Sequence, residues 1–138
     1  MKKGQLLVLL LLPGAAIAIG LLAQTSSGNE RVSAQEAREI IRTDPAAVVL
    51  DVRTEREYRS ETGYLANAIL IPVQELEKRI DELGPFKDRT IIVYCRTGVR
   101  SAKAAKLLND HGFKAFTMEG GIVKWNELNL PVAKGEAR

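Results

Sequence analysis

From Val32 onward the hydrophobic positions alternate between helical and strand spacing, and that alternation carries the fold signal. Ser33-Ala34-Gln35-Glu36 has the form of a capping box, with Ala37, Ile40 and Ile41 following on one helical face. The pattern predicts a helix that ends near Thr43 to Pro45. Residues 47–50 form a short apolar run that reads as a buried strand. Thr54-Glu55-Arg56-Glu57 repeats the capping pattern, predicting a brief helix over residues 55–60 before a turn at Gly63. Residues 68–71 give another strand. Val73, Leu76, Ile80 and Leu83 recur at helical spacing, and Gly84-Pro85 is expected to stop that helix. Residues 90–94 are the most β-branched stretch and predict the central strand, buried on both faces. A helix opening at Ser101 carries Ala102, Ala105 and Leu108 to Gly112. Residues 113–118 return as a strand, and Gly120-Gly121 precedes a last helix containing Trp125.

Strands and helices alternating at this length predict an α/β domain, with a mainly parallel central sheet flanked by helices on both faces. Ligands in such folds bind beyond the carboxyl ends of the strands. The domain is expected over residues 29–133, with a short tail at 134–138. The chain carries 20 Lys and Arg against 17 Asp and Glu, but without Lys2 and Lys3 the remainder is near +1. The basic residues are dispersed and aromatics make up only 5%, which argues against a nucleic-acid partner.

Residues 1–28 have a different character: Lys2-Lys3, an apolar run over residues 6–23, then the polar stretch Gln24-Thr25-Ser26-Ser27-Gly28. This is the pattern of an export signal, with Ala16-Ile17-Ala18 as an A-x-A cleavage pattern. The alternative is an uncleaved anchor, since the apolar run approaches the roughly 20 residues that span a bilayer. Either way the domain is expected outside the cytoplasm: periplasmic if released, or held at the inner membrane through this segment alone.

That location gives weight to Cys95, the only cysteine. Without a partner in its own chain it forms no structural disulfide within the monomer. It follows the strand at residues 90–94 and opens the loop Arg96-Thr97-Gly98-Val99-Arg100, ahead of the helix start at Ser101. The two arginines attract anions, the glycine permits positive φ, and a helix N-terminus favours negative charge. A thiol held there ionises readily and is a candidate nucleophile. Arg100 is unfavourable at a helix N-terminus unless an anion lies nearby. His111 falls in a last helical turn, where the helix dipole accounts for it, and Trp125 fills an apolar helix face.

Four residues separate Cys95 from Arg100. Cysteine phosphatases use one more, because their loop encloses a phosphoryl group. The shorter loop suits a single sulfur atom carried on Cys95 better than a tetrahedral phosphate. A thioredoxin-like role lacks the second cysteine.

Cys95-Arg96-Thr97-Gly98-Val99-Arg100-Ser101 resembles the active-site loop of the single-domain rhodaneses, which are sulfurtransferases. Three further segments resemble that family in order and spacing. They are Leu50-Asp51-Val52-Arg53 with Glu57-Tyr58, then Gly63-Tyr64-Leu65-Ala66-Asn67-Ala68-Ile69 leading to Ile71-Pro72, then Gly120-Gly121 with Trp125. Tyr64 departs from the family pattern, standing where a histidine is common. The resemblance implies a rhodanese-like fold and transfer of a sulfane sulfur from thiosulfate or a similar anionic donor to a thiophilic acceptor, cyanide or a thiol. It implies Cys95 as nucleophile, loop N–H groups from Arg96 to Ser101 holding the sulfur, and the Ser101 hydroxyl as a further donor. Arg96 and Arg100 would orient the donor, and no metal or organic cofactor is needed. Asp51, at a strand end near the same edge, is a candidate for tying down the loop or contacting a basic partner, with a turn or cap role as the alternative, and Arg53 is read in the same way. Two other functional classes stay open: a non-enzymatic persulfide carrier or binding module, and a thiol phosphatase or arsenate reductase.

Overall fold

The computed structural model describes residues 30–135, so the export segment lies outside the described residues, as do residues 136–138 of the tail. The elements are β1 (Arg31–Val32), α1 (Ala34–Thr43), β2 (Val48–Asp51), α2 (Glu55–Tyr58) and β3 (Ile69–Leu70). They continue with α3 (Val73–Arg79), a 3-10 helix (Ile80–Phe86), β4 (Thr90–Tyr94), α4 (Val99–Asp110), β5 (Lys114–Met118) and α5 (Gly121–Glu127).

The five strands form one sheet in the order β1-β5-β4-β2-β3, with every neighbouring pair parallel. β4 is central because its side chains are apolar on both faces. Ile91 and Val93 join a core with Leu50, Leu76, Leu83, Ala104, Ala105 and Leu108, under α3 and α4. Ile92 and Tyr94 face the opposite core with Ala34, Ala37, Met118, Ile122 and Trp125, under α1 and α5. A strand buried on both sides gains no stability from a polar alternation, which is why residues 90–94 read as continuously apolar. Each fully buried Leu, Ile or Val contributes about 1.5–3 kcal/mol of transfer free energy, so these two cores fix the sheet.

Both predicted capping boxes form. Ser33 Oγ accepts from Glu36 N–H while the Glu36 carboxylate accepts from Ser33 N–H, and Thr54 and Glu57 repeat the arrangement. Gly84-Pro85 does not terminate the helix that precedes it. The α-helix tightens at Ile80 into a 3-10 helix that runs through Pro85 to Phe86. Pro85 is tolerated because its fixed φ suits the second position of a turn, closed here by Lys87 N–H donating to Gly84 O at 3.3 Å. Likewise α4 begins at Val99, two residues before Ser101, because Gly98 in the left-handed region (φ 110°) supplies its N-cap. β1 is too short to leave a periodic signal; Thr117 and Glu119 N–H groups donate across it to Glu30 O and Val32 O.

The parallel register brings chemistry to one edge. Asp51 pairs with Tyr94 and Val93 with Thr117, so the carboxyl ends of β2, β4 and β5 gather Asp51, Cys95 and Thr117. Among the described residues no helix is long and apolar enough to cross a membrane.

Candidate active site

Cys95 follows the end of β4, and its carbonyl is held from α5. The first N–H groups of α5 arrange this: Ile122 N–H donates to Cys95 O at 3.0 Å, and Val123 N–H donates to Arg96 O at 3.1 Å. The approach demands glycine. A Cβ on Gly121 would fall onto the Arg96 carbonyl and within 2.6 Å of Cys95 O, and φ is already positive there (56°). With those carbonyls tied down, the following N–H groups are free to converge on the sulfur.

Gly98 N–H donates to Cys95 Sγ at 3.1 Å, and the N–H groups of Thr97 and Ser101 also face it. Cys95 is only 1% exposed, and burial pushes its thiol up. The backbone and hydroxyl of Ser101, with the N–H groups of Gly98 and Thr97, outweigh that burial and hold the thiol below its ordinary value. These donors form an anion nest with the sulfur at its centre. Ser101 is fully buried, its Oγ 3.6 Å from the sulfur. Thr97 and Arg96 are exposed at the rim with Val99, which is 78% exposed.

The two loop arginines separate. Arg96 lies in solvent with no ion-pair partner among the described residues. Arg100 is held by Glu57 through two parallel bonds, each 2.7 Å. The anion that an arginine requires at this helix start is thus a carboxylate of the protein. The same Glu57 carboxylate closes the α2 capping box, accepting from Thr54 N–H and Oγ–H at 3.0 Å each. Arg100 lowers the Glu57 carboxyl most, against an opposing push from burial, and the Thr54 bonds add to the effect; it ends at about 2.

Asp51 and Arg53 form a different unit. Asp51 is fully buried and Arg53 is 1% exposed. Their side chains meet at 2.7 Å, and Asp51 Oδ1 also accepts from Arg53 N–H at 2.9 Å. Tyr94 Oη donates to Asp51 Oδ2 at 2.6 Å and accepts from Leu65 N–H at 3.1 Å. Arg53 reaches on to Gly63 O at 2.9 Å, Thr62 Oγ1 at 2.8 Å and Glu57 O at 3.4 Å. The network therefore clamps α2 and the Thr62-Gly63 turn to β2, and touches the cysteine loop only through Glu57 and Tyr94. Tyr64 stacks on Tyr58 with ring centroids 4.0 Å apart.

Sequence reasoning did not single out Glu57, Thr117 or Gly121 as parts of the site. The Thr54–Glu57 capping box was a usable signal, since it puts a carboxylate just past the end of β2. For Thr117 the signal was a hydroxyl on the buried face of β5, two positions after Ala115. A cavity of about 170 Å³ lies elsewhere, lined by Arg38, Ile41, Leu65, Trp125, Val132 and their neighbours; no residue of the cysteine loop lines it. Among the described residues no cluster of His, Cys, Asp or Glu could hold a metal ion.

The profile of the rhodanese-like domain matches residues 33–128. This chain belongs to that family. The rhodanese-like domain here is similar to the tRNA uridine(34) hydroxylase of Cronobacter sakazakii, with 37% identity over 98 residues, covering 64% of this chain and 28% of that protein. It is similar to the tRNA uridine(34) hydroxylase of Escherichia coli O81, with 33% identity over 120 residues, covering 80% of this chain and 33% of the other. The chain thus spans about a third of the length of the curated relatives it matches. Among solved structures, a rhodanese-related protein from Thermoplasma volcanium superposes with a TM-score of 0.69 at 35% identity, over 77% of this chain and 99% of that one. The thiosulfate sulfurtransferase from Pseudomonas aeruginosa superposes with a TM-score of 0.68 at 25% identity, over 80% of this chain and 21% of that one. The rhodanese-like fold and the wholly parallel sheet agree with the architecture expected from the sequence.

Proposed function

We propose that this rhodanese-like domain is a sulfurtransferase that carries a sulfane sulfur as a Cys95 persulfide. The observation that supports it most is the nest of N–H donors from Thr97, Gly98 and Ser101 around an acidified, almost fully buried sulfur. At 1% exposure Cys95 meets a donor only through a terminal atom, which suits the outer sulfur of thiosulfate. The four-residue spacing to Arg100 leaves a nest for one added sulfur rather than for a phosphoryl group.

In the first step the Cys95 thiolate attacks the outer sulfur of the donor. A new S–S bond forms, the sulfur–sulfur bond of thiosulfate breaks, and sulfite leaves with the bonding pair. The negative charge now lies on the terminal persulfide sulfur, where the loop N–H groups and the Ser101 hydroxyl stabilise it. In the second step cyanide or a thiolate attacks that sulfur, and the Cys95 thiolate is released. Arg96 at the rim and Arg100 at the helix start draw the anionic donor in. No metal or organic cofactor takes part. The curated relatives' tRNA chemistry is not carried over, because this chain covers only 28% and 33% of the length of those proteins.

Assay of the purified domain with thiosulfate and cyanide tests this: sulfite and thiocyanate form, and Cys95→Ser abolishes both. Thiocyanate formation unchanged in Cys95→Ser would overturn the assignment. A stable persulfide that passes to no small acceptor would favour the carrier reading instead. The proposal keeps the domain outside the cytoplasm, either released or held by an uncleaved segment, and sequencing of the mature N-terminus tells these two apart.

A further inference from the structure

Ser101 Oγ has three neighbours within hydrogen-bonding reach and a single proton to give. They are Thr117 Oγ1 at 2.6 Å, Gly98 O at 3.2 Å and Cys95 Sγ at 3.6 Å. Gly98 O only accepts, and it already takes Ala102 N–H at 3.1 Å. An ionised sulfur also only accepts. The direction of the short Ser101–Thr117 bond therefore decides what the serine can do for the sulfur.

Thr117 is 3% exposed, and among the described residues its hydroxyl has no partner other than Ser101. If Ser101 donated to Thr117, the buried threonine proton would be left without an acceptor among the described residues, which is unfavourable. It would also leave Ser101 nothing to donate. If Thr117 donates to Ser101, both hydroxyls are satisfied. The serine proton is then free to point at Gly98 O while Cys95 carries its own proton, and to turn to the sulfur once that proton leaves.

We infer that Thr117 is a positioning residue whose hydroxyl donates to Ser101 and so commits the serine proton to the ionised Cys95 sulfur. The relay runs Thr117 Oγ1–H to Ser101 Oγ–H to Sγ, and each bond polarises the next. It rests on the reading of Cys95 as the nucleophile, yet it concerns the thiol itself and holds whatever sulfur donor is used.

The test is the pH profile of Cys95 alkylation by iodoacetamide on the full domain, followed by intact mass. Thr117→Val removes the hydroxyl at nearly constant shape. It should slow alkylation about threefold to tenfold at neutral pH and reach the wild-type rate at high pH, where the thiol ionises without help. Thr117→Ser should restore the wild-type profile. In a Ser101→Ala background, Thr117→Val should change nothing more, because its effect passes through the serine. Thr117→Ala serves the same comparison should the valine variant fail to fold. A wild-type profile in either hydroxyl-free variant, or an equal slowing with and without Ser101, would overturn the inference. Alkylation as expected in a protein that transfers no sulfur would instead count against the sulfurtransferase reading alone.

Discussion

Two arginine–carboxylate pairs stand on the same edge of this sheet, and they share a contact distance of 2.7 Å but little else. Arg53 and Asp51 are 1% and 0% exposed, whereas Arg100 and Glu57 are each 30% exposed. The first pair lies two residues apart on one strand end, and the second joins residues 43 apart. Burial determines what each can do. The inner pair cannot separate without leaving a charge in the core, so it acts as a fixed brace for α2. The outer pair keeps contact with solvent, and in the proposed mechanism Arg100 exchanges Glu57 for the incoming anion at modest cost. Glu57 belongs to both: Arg53 holds its backbone carbonyl, and its carboxylate holds Arg100. The brace therefore positions the movable pair.

Breaking the inner pair should have the larger effect on the fold. Asp51→Ala strands Arg53 and removes the acceptor of Tyr94 Oη, so the unfolding free energy should fall by about 3–5 kcal/mol in urea denaturation. A loss under about 1 kcal/mol would mean that water reaches Arg53, and the contrast between the pairs would collapse. Breaking the outer pair should spare the fold and alter the chemistry. Arg100→Ala and Glu57→Gln should each cost about 1 kcal/mol in stability. Their effects on KM for thiosulfate should be opposite and roughly fivefold each: higher without Arg100, lower when Glu57 no longer neutralises it. Equal shifts in one direction would show that the pair acts only as a structural link.

The smallest effect is the response to acid. The folded-state pKa of Glu57, about 2, lies below its ordinary value of 4.5. Its carboxylate therefore stabilises the fold above pH 4.5, and this contribution disappears as pH falls toward 2. With solvent screening it amounts to about 1 kcal/mol. Stability of the wild type should bend downward across that window relative to Glu57→Gln. Parallel curves would leave the outer pair no weight in the fold.

What the sequence made legible was local. Both capping boxes, the central β4 strand and the cysteine loop depend on residues within a few positions of one another, so spacing reveals them. Glu57 and Arg100 come together only because α2 and α4 begin at the same edge of a parallel sheet, and no local pattern encodes that pairing. Thr117 meets Ser101 for the same reason, through the register of β5 against β4. Gly84-Pro85 misled because a proline that ends an α-helix fits a 3-10 turn equally well. Asp51 and Arg53 read as polar residues beside the site, and only their burial distinguishes a brace from a binding group.

The central claim is that Cys95 accepts one sulfur atom in a nest built to hold it, and intact mass after thiosulfate treatment of the reduced domain tests it most directly. The account predicts one added sulfur, located at Cys95, removed by cyanide and absent from Cys95→Ser. No adduct with thiosulfate or other sulfane donors, from a protein whose Cys95 still alkylates, would contradict it.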